Sequence, residues 1–293
     1  MLYRTFFAHK DESDDTIAGL AMHSALMTLN KYFRQHKPDR VVMAFDRSSW
    51  RKSYTASDLC ISKRPYKGNR RKDMSPGQQA KYERFCGHLK DFETLITNYS
   101  TIITLAADLL EADDVIAGFV QLHPQDQIVL ISSDQDFLQL LRHPQLTIIS
   151  PATDKPLTLA EYNNDADYFV FFNCVRGDHQ TDNIQSALPR VGAKRIEKAY
   201  TDPFERVQMM KELWTDPKTK TEFMVEDLYE ENILLMDLAQ QPDPIRVKIE
   251  KTVVEAEALE RKYSHFHLLK FLGKYKLDNI AKQIDQFVPL LSK

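Results

Sequence analysis

Acidic side chains stand in this chain where apolar runs end. Asp46 closes the run Arg40 to Phe45, Asp134 and Asp136 follow Ile128 to Ser133, and Glu111-Ala112-Asp113-Asp114 follows Ile102 to Leu105 and opens an apolar helical stretch. Ligands of open α/β sheets bind outside the carboxyl ends of the strands. Carboxylates crowded at such a rim repel one another and need a compensating cation. No His or Cys accompanies them, so an all-oxygen donor set points to a hard cation, Mg²⁺ or Mn²⁺. Two such ions about 4 Å apart can clamp a scissile phosphate and activate water. Singly, each acid has another reading: Asp46 as a turn residue, Asp113 and Asp114 as a complement to a helix dipole, Asp134 as an N-cap. Their coincidence at one sheet edge argues for a site.

The elements that must position these acids follow from periodicity. Thr16 to Phe33 carries Ile17, Leu20, Ala21, Ala25, Leu29 and Phe33 at helical spacing, and Pro38 ends the pattern. Three short apolar strands, Arg40 to Phe45, Ile102 to Leu105 and Ile128 to Ser133, alternate with helices starting at Asp113 and Phe137, which predicts a parallel sheet covered on both faces. The stretch from Arg47 to Asn98 is too polar at its start for core and too long for a simple loop. It reads as an insertion reaching over the sheet edge, helical from Ser75 to Tyr99. Beyond Pro156 the strand signals fade, and Tyr162 to Val175, Phe204 to Leu213, Glu222 to Leu238, Val247 to Tyr263 and Leu277 to Leu291 read as helices.

The net charge of −3 over 293 residues hides an uneven distribution. Lys63, Arg64, Lys67, Arg70, Arg71 and Lys72 place six cations in ten residues with no acid among them, and Arg190, Lys194, Arg195 and Lys198 form a second basic stretch with only Glu197 against it. With its acids gathered in one metal site, the rest of the molecule is net positive, the balance expected of a nuclease. Cys60, Cys86 and Cys174 form no CxxC pair and read as reduced thiols of a cytoplasmic protein. No apolar run is long enough to span a bilayer, and the first residues do not form a signal peptide.

Set beside Tyr66-Lys67-Gly68-Asn69-Arg70 and Gly177-Asp178 with Asp182-Asn183-Ile184, the acidic motifs resemble the structure-specific 5′ nucleases of tailed bacteriophages. These are flap endonucleases, 5′-3′ exonucleases and phage ribonucleases H, related to the nuclease domain of bacterial DNA polymerase I. The resemblance runs from residue 1 to at least Asp237. It implies a PIN-like α/β fold. Residues 1–160 would be the nuclease core with a helical arch insertion at about 47–98, and residues 161–293 a helical DNA-binding region containing a helix–three-turn–helix element. It implies that Asp46, Glu111, Asp113 and Asp134 bind or orient a first metal, and that Asp114, Asp136, Asp178 and Asp182 serve a second, directly or through water. Lys67 and Arg70 would hold the scissile phosphate, Arg4 would face the active site, and Tyr66 could stack on a base near the 5′ end. Arg64 and Arg71 of the basic insertion, and Arg190, Gly192, Lys194 and Arg195 of the hairpin, would contact DNA. Two Mg²⁺ ions, replaceable by Mn²⁺, are the implied cofactors, with a monovalent K⁺ at the hairpin. The implied substrates are branched or nicked DNA and RNA–DNA hybrids, acted on by a monomer in the host cytoplasm beside replication proteins such as a single-strand-binding protein.

Three departures from the family pattern accompany the resemblance. The family's first strand and its Asp precede the point where this chain opens, at Met1-Leu2-Tyr3-Arg4, so the sequence as written is expected to lack one strand and one ligand. The second acidic motif has one residue more than the usual Gly-Asp-x-x-Asp-Asn, and His179 within it reads as a surface residue. Only Gly192 remains where the family commonly has Gly-x-Gly. Two alternatives to a two-metal phosphodiesterase therefore stand: a DNA-binding homologue with impaired catalysis, and a PIN-type ribonuclease acting on single-stranded RNA.

Overall fold

The computed structural model describes residues 13–69 and 75–293. Arg4, Arg70 and Arg71 lie outside the described residues, as does the chain's opening segment. In chain order the elements are α1 (Asp14–His36), β1 (Val42–Ala44), α2 (Trp50–Thr55), α3 (Pro76–Tyr99), β2 (Ile103–Leu105), α4 (Ala112–Leu122), β3 (Ile128–Ile131), β4 (Leu146–Ser150) and β5 (Lys155–Pro156). There follow α5 (Ala166–Arg176), α6 (Ala193–Thr201), α7 (Pro203–Met210), β6 (Leu213–Thr215), β7 (Glu222–Met224), α8 (Val225–Met236), α9 (Asp243–Ala258), α10 (His265–Lys274), α11 (Asp278–Ala281) and α12 (Val288–Ser292).

Two compact units share these elements. The first takes the described residues of Met1–Phe45 and Asp73–Ala106, with Thr252–Lys293. The second takes the described residues of Asp46–Lys72, with Ala107–Lys251. The division therefore does not fall at residue 160, because the chain passes repeatedly between the two cores. The insertion is divided likewise: its early loop belongs to the second unit and α3 to the first.

In the first unit, Ser13 caps α1 by accepting from Thr16 N at 3.2 Å, and Lys37 in the left-handed region ends it. The apolar face of α1, with Ala18, Met22, Ala25 and Leu26, packs with Phe92, Leu95 and Ile96 of α3 and Leu268, Phe271 and Leu272 of α10. Full burial of one such large side chain contributes roughly 1.5–3 kcal/mol. Strands β1 and β2 pair in parallel, Val42 opposite Ile103 and Ala44 opposite Leu105.

In the second unit, β3 and β4 pair in parallel, Ile128 opposite Leu146, and β5 adds antiparallel to β4. Ala117 and Val120 of α4 pack with Phe137, Leu140, Leu146 and Ile148. A larger core surrounds α5, where Phe169, Phe171, Cys174 and Val175 meet Ile196, Met209 and Leu228.

Several elements differ from the sequence reading. The stretch after β3 is a 3₁₀ helix, Gln135–Arg142. Strands β4 and β5 were not among the expected elements. Nor was the antiparallel pair β6–β7, which replaces the ends of two expected helices. Leu277 to Leu291 is three short helical pieces rather than one helix. The three cysteines are free thiols, and among the described residues no helix is long and apolar enough to cross a membrane.

Candidate metal and nucleic-acid site

In the second unit the charges of the strand-end acids act on one another. Asp46, two residues beyond β1, accepts from Ala112 N at 2.9 Å, fastening it to the first turn of α4. Asp134 caps the 3₁₀ helix by accepting from Asp136 N at 3.1 Å. Burial, followed by the charges of Asp134, Asp46, Asp136 and Glu111, pushes the Asp113 carboxyl up to about 8. Burial in the same recess and the charges of Asp134, Asp182 and Asp178 push Asp136 up to about 7, with Lys67 opposing the rise. Asp136 keeps contact with solvent, whose screening tempers that shift.

A second group of acids is already compensated by the protein. Glu111, the N-cap residue of α4, receives Lys67 Nζ on Oε1 at 2.5 Å. Its Oε2 receives Ser49 Oγ at 2.6 Å, Tyr66 OH at 3.1 Å and Arg51 Nη1 at 3.2 Å. Burial alone would raise Glu111, but Lys67, Ser49 and Arg51 together hold it below the usual carboxylate range. Asp114 has no exposed surface, and both its oxygens meet Arg51: Nη2 to Oδ1 at 2.9 Å and Nη1 to Oδ2 at 3.1 Å. Its Oδ2 also accepts from Glu111 N at 3.1 Å. The geometry thus gives Asp114 a buried counter-ion in Arg51.

Tyr66 also departs from expectation. It is buried, and its hydroxyl lies 3.1 Å from Glu111 Oε2 and 3.0 Å from Asp182 Oδ2, so its ring is not offered to a base. Burial pushes its phenol far up, keeping it a donor. Ser49 and Arg51 carried no role in the sequence reading. A Ser before a short helix is a visible N-cap signal, whereas nothing local announces that Arg51 pairs with an acid far along the chain.

Asp178 and Asp182 sit on a turn between α5 and α6, not on one helix face. Asp178 Oδ1 accepts from Gln180 N at 3.1 Å and Thr181 N at 2.9 Å, and its carbonyl accepts from Ile184 N at 2.7 Å. The turn absorbs the additional residue. Gly177 starts it at φ +64°, where a Cβ would fall 2.6 Å from the Gln185 carbonyl. The turn is stitched to the basic loop: Lys67 N donates to Asp182 O at 2.8 Å, Asn183 Nδ2 to Pro65 O at 3.0 Å and Asn69 Nδ2 to His179 O at 3.0 Å. Arg64 Nη1 lies 2.7 Å from His179 Nδ1. His179 is exposed and is not placed among the acids.

Farther along, Arg190 is exposed in the left-handed region and Gly192 caps α6 from an extended conformation. Lys194 and Arg195 are exposed in the first turn of α6, with Arg195 paired to Glu212. A helix N-terminus flanked by cations suits a backbone phosphate. A cavity of about 350 Å³ lies between this stretch and the acidic turn, lined by Arg176, Asp178, His179 and Arg190 among others.

Among the described residues, no three of the acids already converge closely enough to hold an ion. The donor chemistry fits a divalent cation all the same. Asp113, Asp134 and Asp136 are oxygen donors in one recess, their mutual repulsion is what a cation relieves, and the neighbouring Arg51 is committed to Glu111 and Asp114.

Residues 1–167 match the family described as the 5′-3′ exonuclease, N-terminal resolvase-like domain. The ribonuclease H of Enterobacteria phage T4 is 29% identical over 160 residues, which cover 52% of this chain and 50% of that protein. DNA polymerase I of Caldicellulosiruptor bescii is 29% identical over 213 residues, covering 68% of this chain and 23% of that protein. The chain thus spans half or less of the length of these curated relatives. A bacteriophage T5 flap endonuclease, solved as a pseudo-enzyme–product complex with DNA and metal ions, superposes with a TM-score of 0.63 at 21% identity, covering 87% of this chain and 96% of that one. A T5 5′-exonuclease with bound zinc gives a TM-score of 0.61 at 22% identity over 87% and 95%. These likenesses show the fold, an α/β PIN-like arrangement of parallel strands and many helices. With its matched motifs covering more than half its length, the chain belongs to the 5′-3′ exonuclease family.

Proposed function

We propose that this chain is a metal-dependent 5′ nuclease that hydrolyses phosphodiester bonds of 5′ flaps, nicked duplex ends or RNA primers during DNA replication. One observation carries the reading: carboxylates placed at strand ends and helix starts, Asp46 fastened to Ala112 N, Asp134 to Asp136 N and Asp113 between them, act on one another's charge, with Lys67 held beside them on Glu111. Family membership supports it, as does the DNA and metal content of the T5 complex. Asp46, Glu111, Asp113 and Asp134 would hold one divalent ion, and Asp136, Asp178 and Asp182 a second. Mg²⁺, or Mn²⁺ in its place, supplies charge neutralisation and an acidified water when bound. Lys67 donates to a non-bridging phosphate oxygen, where an added hydrogen bond stabilises the charge that develops. Arg70, Arg71 and Arg4 belong to the same proposal. Arg190, Gly192, Lys194 and Arg195 would grip duplex backbone as part of a helix–three-turn–helix element, in a monomer working beside replication proteins.

A labelled 5′ flap and a single-stranded RNA, each incubated with Mg²⁺ and with chelator, test the proposal. Mg²⁺-dependent flap cleavage leaving a 5′-phosphate is expected. Cleavage of the RNA alone would make the protein a PIN-type ribonuclease. Flap binding without cleavage would make it a non-catalytic homologue.

A further inference from the structure

The collar around Glu111 is asymmetric. Oε2 accepts from three side-chain donors, Ser49, Arg51 and Tyr66, whereas Lys67 is the side-chain donor on Oε1, and the carboxylate also closes a capping box with the Asp114 backbone N–H. Arg51 is the fixed point of that collar. Its side chain is 4% exposed, its Nε donates to Leu235 O at 2.7 Å, and it stacks on the Trp50 ring at 4.7 Å. Both Nη groups bind Asp114, and Nη1 also reaches Glu111. Asp114 in turn accepts from Glu111 N, so the pair grips Glu111 by backbone and by side chain.

We infer that Arg51 is a positioning residue: through its buried pair with Asp114 it turns Glu111 Oε2 inward and leaves Oε1 as the only oxygen offered to a divalent cation. Asp114 then acts as the counter-ion of Arg51 and not as a ligand. The rigid fork of Arg suits this task, because one planar group satisfies two carboxylates and a carbonyl at once. A buried pair of this kind is costly to break from one side and replaceable from both, since removing one partner leaves the other charge uncompensated. The inference rests on the metal reading of the recess for its consequence, but the pair itself can be tested without metal.

The experiment compares wild-type protein with Asp114→Asn, Arg51→Met, Arg51→Lys and the double variant Arg51→Met with Asp114→Leu. Thermal unfolding is measured in chelator, and Mg²⁺ binding by calorimetry. Each single change is expected to lower Tm by roughly 10 °C, and the double variant to recover most of that loss. Arg51→Lys, which keeps the charge but not the fork, should fall between. In the double variant, where Glu111 has lost its grip, Mg²⁺ should bind about tenfold more weakly with the number of sites unchanged. Where the single variants fail to fold, recovery in the double variant still supports the pair. Additive losses in Tm would overturn the inference. So would Asp114→Asn that keeps its Tm and loses a Mg²⁺ site, the behaviour of a ligand. Wild-type protein that takes up no Mg²⁺ would count against the metal reading instead, and the Tm cycle would still decide the pairing.

Discussion

Replacing Lys67 by Met separates two effects that a phosphate-binding lysine would otherwise combine. The ammonium stands 2.5 Å from Glu111 Oε1 and 3.9 Å from Asp182 Oδ1, with only 17% of its side chain exposed. It therefore sits where a divalent cation would seek the same oxygen. Two unit charges about 4 Å apart interact by about 1 kcal/mol in water and about 4 kcal/mol at an effective dielectric near 20. A half-buried pair lies between these limits, so losing the competing lysine should tighten Mg²⁺ binding at least fivefold or so. Glu111 keeps Ser49, Arg51 and Tyr66, so the fold should survive. Single-turnover cleavage of a flap at saturating Mg²⁺ should nevertheless fall by roughly 10²-fold, because the phosphate loses a donor. Calorimetry with Mg²⁺ alone and rapid-quench cleavage read the two effects separately. Unchanged or weaker Mg²⁺ binding in Lys67→Met would refute the competition argued from this geometry.

Gly177→Ala should cost about 3 kcal/mol in urea unfolding, since its backbone conformation is strained for any L side chain and the new Cβ meets the Gln185 carbonyl. A loss under about 1 kcal/mol would mean that the turn relaxes easily. In the first unit, burial would raise Asp91, but hydrogen bonds from Lys274 Nζ at 2.6 Å and Tyr275 OH at 2.5 Å hold it below its usual range. A carboxyl with a lowered folded pKa stabilises above its unfolded value, near pH 4, and loses that contribution as pH falls through the folded value. Asp91→Asn should flatten that acid limb of a Tm–pH profile; an unchanged limb would remove Asp91 as its source. Arg190→Ala and Lys194→Ala should weaken duplex binding and reduce its salt slope by about 1 each, with little effect on single-turnover cleavage. An unchanged slope would place DNA elsewhere.

The parts of the site legible in the sequence are those whose positions follow from strand and helix ends. Asp46, Asp113, Asp134 and Asp136 each follow or cap an element that periodicity marks, which is why they could be singled out from the sequence. Asp114 and Tyr66 could not be placed that way. Their partners, Arg51 for one and Glu111 with Asp182 for the other, lie dozens of residues away, and only the fold shows that these polar groups are buried against each other. The turn from Asp178 to Asp182 is not legible either, because acid spacing alone does not distinguish a helix from a loop that doubles back. Strands β6 and β7 have three residues each, too few for an alternating pattern to stand out against the helical residues beside them.

The most direct test of the central claim is Asp134→Asn assayed on a labelled 5′ flap in saturating Mg²⁺, with DNA binding measured in parallel. Asn preserves the cap that Asp134 makes with Asp136 N and removes only charge from the recess. Single-turnover cleavage should fall by roughly 10³-fold while DNA binding stays equal or becomes tighter. Cleavage at the wild-type rate, or binding that falls in step with cleavage, would contradict the assignment of this recess as a metal-dependent phosphodiesterase centre.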